Sequence, residues 1–197
     1  MKDWTRLDSP KVTLAIVVIV YAVFLHLQLS KSNYDFSAFV NAGDFFVNPA
    51  IAPDNLRVTR NSYGYDGQFY YRLALTPFTS DRSDLGITLD VPAYRQQRIV
   101  YPLLVRGLSL GQPALIPISL LIINVLALCA IAWLGSKYAQ ISLLHATWGL
   151  AFALYPGFLL TLSCDTVEIV EICFLLGSVV CLRQNRQFLA IRCQHIV

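Results

Sequence analysis

"VTLAIVVIVYAVFLHLQLS", Val12–Ser30, contains no Asp, Glu, Lys or Arg. As a helix rising 1.5 Å per residue it is about 28 Å long, enough to cross a hydrocarbon core of about 30 Å. The run is long for the apolar core of a secretory signal. The following "HLQLSKSNYDF" is not a small-residue cleavage site, so the reading is a retained span.

The rest of the chain fits lipid as solvent. Of 197 residues, 56% are hydrophobic and 14% charged, where soluble domains carry roughly 25% charged residues. A second charge-free run, Gly107–Ser136, places a span at 115–134, and a third, Tyr138–Cys164, places one at 141–162. Pro156-Gly157 is expected to bend the third. A fourth span at 166–182 contains Glu168 and Glu171 but ends in the wholly apolar Ile172–Leu182.

These spans predict an all-α integral membrane protein, one membrane domain over 1–197, with about four transmembrane helices. Lys2, Arg6 and Lys11 precede the first span, Lys137 lies in the expected turn between the second and third, and Arg183, Arg186 and Arg192 follow the fourth. The positive-inside rule then puts both termini in the cytoplasm of an inner-membrane, multi-pass protein, with residues 183–197 as a cytoplasmic tail. The long loop 31–106 and the short Ser163–Asp165 turn face outward. A net charge of +3 without a basic run argues against nucleic acid as a partner.

A loop of this length calls for structure of its own. Phe36, Phe39, Val40 and Phe46 recur near helical spacing, and "PAIAPDNLRVTRNS" reads as irregular chain. In "YGYDGQFYYRLA", Tyr63–Ala74, the residues Phe69, Tyr70, Leu73 and Ala74 share one face, with Gln68 and Arg72 on another. That pattern predicts a short amphipathic helix on the membrane surface, its tyrosines at headgroup level. Another helix is expected to open at Pro92.

Asp66 has two readings. It can cap its helix by accepting the N–H of Phe69, or act as a general base beside water and substrate. Arg95 and Arg98, three apart, can clamp a phosphate or anchor a helix at anionic headgroups. Asp165, Glu168 and Glu171 recur every three residues, keeping them on one side of a helix. Intramembrane acids face a cavity or a partner. His26 and His145 read as helix residues. The five cysteines show no metal-ligand spacing and read as buried hydrophobes, so no cofactor or metal is expected.

"GYDGQFYYRLAL" followed by "GITLDVPAYRQQRIVYPLL" resembles a group of bacterial multi-pass proteins related to GT-C glycosyltransferases, the superfamily of PIG-V-like and protein-O-mannosyltransferases. The resemblance covers most of 34–186. It implies a catalytic Asp in the first outer loop, here Asp66, and a polyprenyl-phosphate sugar as donor. It also implies an acid in the second outer loop, here Asp165. Gln68, Tyr70, Arg95, Arg98, Asp165 and Glu168 are the expected substrate-binding residues. GT-C enzymes have more spans, so the resemblance implies an N-terminal portion that associates with a C-terminal half. The competing expectation is a non-catalytic membrane protein binding lipid or a partner through the loop.

Overall fold

The structure is a computed structural model and describes residues 8–79 and 81–194. Lys2 and Arg6, used above to orient the chain, lie outside the described residues. The chain is mostly helical, and it forms two compact units.

The first unit comprises the chain up to Leu27, Val125–Leu159 and the chain from Glu168 onward. Helix α1, Pro10–Lys31, covers the predicted first span. It stops where Asn33 and Tyr34 enter the left-handed region and Tyr34 N–H bonds back to Leu29 O at 2.8 Å. The second predicted span is a single 3₁₀ turn, Pro113–Leu115, running into a helix over Ile116–Ile141 (α5 in chain order; α2–α4 are given below). Lys137 lies inside this helix rather than in a turn, because the chain reverses only at Ser142–Leu144. It places its ammonium 5.5 Å from the Trp133 ring.

The third expected span is broken. A 3₁₀ turn, Ala146–Trp148, leads into α6, Gly149–Ala153; α7, Gly157–Ser163, follows after a bend of 54°. Pro156 lies in the gap, where it cannot donate a ladder hydrogen bond. The break leaves Ala153 O at a helix end, and Tyr21 Oη donates to it at 2.7 Å. Thr13 Oγ1 likewise donates to Ala146 O at 3.2 Å. In hydrocarbon, loose carbonyls need such internal donors. His145 starts the 3₁₀ turn, its Nδ1 accepting from Thr147 N–H.

Helix α8, Glu168–Arg183, has 16 residues, about 24 Å of rise. A turn with Asn185 at φ 58° then reverses the chain into α9, Gln187–Gln194, and Ser178 Oγ donates to Ala190 O at 3.1 Å. The predicted tail therefore begins as a helical hairpin. Two described helices are long and apolar enough to cross a membrane, α1 and α5 with its leading turn; α6 and α7 add a third if they form one span.

The second unit comprises Gln28–Asn124 and Leu160–Val167. Its centre is α2, Gly67–Leu75, buried all round from Gly67 to Ala74. This corrects the expected surface helix. Phe69 and Leu73 pack with Leu89, and Phe46 and Ile99 close the cluster. The polar face is buried too, with most of its polar atoms bonded to neighbouring backbone. Gln68 accepts from Gly43 N–H at 3.0 Å and donates to Tyr63 O at 2.8 Å, while the fully buried Arg72 donates to Arg82 O and Asp81 O.

Around α2 lie elements the periodicity did not predict. The expected helix near Phe36–Phe46 is one 3₁₀ turn, Phe36–Phe39, capped by Asp35. The chain then enters β1, Ala42–Gly43, which pairs in parallel with β2, Val58–Thr59. Strands β3, Ser83–Asp84, and β4, Ile87–Thr88, form a hairpin through Leu85 (φ 50°) and Gly86 (φ 74°). Both central residues lie at positive φ, as a tight right-twisting hairpin requires. Helix α3, Pro92–Gln97, opens at the predicted proline, and α4, Val100–Ser109, follows.

Candidate functional site

The site is built on the turn into α2. Gly67 starts the helix where a Cβ would lie 2.5 Å from Cys164 O and 2.7 Å from Val40 O, so only glycine fits. That close approach brings the 164–167 turn against the start of α2. The Phe69 and Tyr70 N–H groups bond to the backbone O of Asp66, at 2.9 and 3.3 Å. The Asp66 carboxylate makes no capping bond, which removes the capping reading of its side chain.

The carboxylate instead meets Arg95. Arg95 Nη1 donates to Asp66 Oδ2 at 2.5 Å, while Nε and Nη2 donate to Asp90 Oδ1 and Oδ2 at 2.9 and 2.8 Å. The Arg95 side chain is 6% exposed, and those of Asp66 and Asp90 are 29% and 30%. The guanidinium also lies 4.6 Å from the Phe69 ring centre. Burial works against its charge, but the two carboxylates outweigh that and hold its pKa above the ordinary value. The same fork holds the Asp90 carboxyl below the usual carboxylate range. With two anions to one cation, the cluster is net negative. A guanidinium so engaged anchors Asp66 rather than clamping a phosphate.

Arg98 is half-buried at the C-terminal cap of α3, its guanidinium 5.0 Å from the Tyr94 ring centre. Beside it lies the buried Tyr70 hydroxyl. Burial pushes Tyr70 up to about 12, with Arg98 opposing. The Tyr70 ring packs edge-on against Tyr101, centres 5.4 Å apart. Tyr101 Oη accepts from Asn124 Nδ2 at 2.9 Å and donates to Leu120 O at 3.2 Å.

Asp165 completes this chain of polar groups. It does not share a helix face with Glu168: it precedes α8, in the left-handed region at φ 46°. Its backbone O lies 3.5 Å from Tyr101 Oη. The residue is 0% exposed, and neither carboxyl oxygen has a hydrogen-bond partner among the described residues. Burial pushes the carboxyl well above the usual range, opposed by the neighbouring Asn124 amide. Glu168 and Glu171 lie in the first turn of α8, in the other unit.

Of the residues expected from sequence, the structure groups Asp66, Arg95, Arg98, Tyr70 and Asp165 along one polar path in the second unit. Gln68 is turned inward as a backbone clamp. Asp90 and Asn124 were missed. The signal for Asp90 was an acid just ahead of the Pro92 helix start, five residues before Arg95; Asn124 lay hidden in an apolar span. Among the described residues, no group of three or more His, Cys, Asp or Glu could hold a metal ion. Comparisons with protein-family models, curated proteins and solved structures found no match.

Proposed function

We propose that the chain is part of a GT-C-like membrane glycosyltransferase, moving a sugar from a polyprenyl-phosphate donor to an acceptor hydroxyl on the outer face. In this reading α1, α5, the bent α6–α7 pair and α8 make four spans, with both termini cytoplasmic. The observation that carries it is the Asp66 carboxylate. It is released from capping, oriented by a buried guanidinium, and remains the more exposed member of the pair.

Asp66 takes the proton of the acceptor hydroxyl as its oxygen bonds to the anomeric carbon. The bond from that carbon to the phosphate oxygen breaks, the electron pair leaves with polyprenyl phosphate, and the configuration inverts. Arg95 positions the base, and Arg98 offsets charge on the leaving phosphate. Labelled polyprenyl-phosphate sugars incubated with purified protein and membrane acceptors test this. Asp66→Asn is expected to lower transfer at least about 100-fold, as loss of a general base does, while membrane insertion is kept.

One observation favours the non-catalytic reading. Phe45 and Tyr63 stack with ring centres 4.3 Å apart, and both are more than half exposed. Such an aromatic face suits lipid or partner binding. Transfer that is absent, or unchanged in Asp66→Asn, would favour it.

A further inference from the structure

Among the described residues, none forms a salt bridge with the Asp165 carboxyl. The groups that face it are Tyr101 on α4 and Asn124 on α5, with Cys164 beside it in its own turn and Asn41 against that thiol. None of these is a cation. The nearest acid along the chain, Glu168, would only repel an anion. Asp165 is fully buried, and burying an ionised carboxylate without a paired cation is strongly unfavourable.

The hydrogen-bond balance points the same way. At this site three buried oxygens have no hydrogen-bond partner among the described residues: Asp165 Oδ1, Asp165 Oδ2 and Asn124 Oδ1. Asn124 Nδ2 donates to Tyr101 Oη, and the Asn124 amide lies beside the carboxyl. A single proton removes the buried charge that no described cation offsets.

We propose that Asp165, beside the Asn124 amide, is a proton-binding site in which the carboxyl is neutral at pH 7. Asp165 is then a proton store rather than an anionic ligand. This inference is independent of the glycosyl-transfer reading, because it concerns a proton and needs no substrate.

Infrared difference spectroscopy of the full-length protein in detergent, wild type against Asp165→Asn, tests it. At pH 7 the wild type is expected to show the carbonyl stretch of a protonated carboxyl, shifted in D2O and absent from Asp165→Asn. No such band in the wild type overturns the proposal, as does a band that persists in the variant. Loss of the band on adding Na+ or Ca2+ also overturns it, by showing that a metal cation holds the site. Should Asp165→Asn fail to fold, 13C-carboxyl NMR of aspartate-labelled wild type replaces it. One aspartate is expected to stay neutral at pH 7, and full ionisation of all of them contradicts the proposal.

Discussion

Asp66 and Asp165 are both carboxyls of the loop unit, and their surroundings differ in the two respects that decide charge. Asp66 meets a guanidinium and keeps 29% of its side chain exposed; Asp165 meets an amide and is fully buried. The first has a cation and access to solvent. The second has neither among the described residues, and burial favours its neutral form. A neighbouring cation favours the charged form of a carboxyl, and burial without one favours the neutral form.

The sharpest way to break this contrast is to remove the guanidinium. Arg95→Met leaves Asp66 and Asp90 facing each other without their cation. Loss of one partner from a buried ion pair costs 3–5 kcal/mol, discounted here for the partly exposed carboxylates to about 3 kcal/mol. Chemical unfolding in detergent checks it, and an unchanged midpoint would show that the fork is incidental. Gly67→Ala tests the close approach that brings the two acids' turns together. Its Cβ has no room between two backbone carbonyls, and overpacking of this kind costs about 1–3 kcal/mol. Gln68→Ala removes the clamp on Gly43 and Tyr63, leaving a buried donor and a buried acceptor unpaired, for about 1–2 kcal/mol.

Acidity gives a subtler test, because the two kinds of carboxyl act in opposite windows. Asp90 is held below the usual range, so its stabilisation is present above about pH 4 and lost as pH falls through its folded value. Asp165 is held above it, so the unfolded chain binds fewer protons there. Stability falls as pH rises from about 4 through the raised folded value. Unfolding midpoints measured across pH should show that decline with rising pH in the wild type. Asp165→Asn should flatten it, and an equal slope in both proteins contradicts the assignment.

Some of this was legible in the sequence. Val12–Ser30 and the apolar run after Gly107 announced their helices, because a span is defined by length and absence of charge. Pro92 and Pro156 marked a helix start and a break, since proline acts locally. The loop was less readable for a physical reason. Gln68 and Arg72 look like a solvated face, yet each finds backbone partners contributed by distant segments, at Gly43 and Tyr63 or at Asp81 and Arg82. Satisfaction of that kind leaves no periodic trace. Asp165 looked like the first of three acids on one helix; its left-handed backbone takes it out of that helix. Asn124 carried no signal, being one amide in an apolar run whose role depends on Tyr101 and Asp165.

The central claim is that Asp66 is a base held in place by Arg95. It is tested most directly by sugar transfer from labelled polyprenyl phosphate, comparing wild type with Asp66→Asn in protein shown to be folded and membrane-inserted. The account predicts transfer by the wild type and a loss of at least about 100-fold in the variant. Undiminished transfer by Asp66→Asn, or none by the wild type, would contradict it.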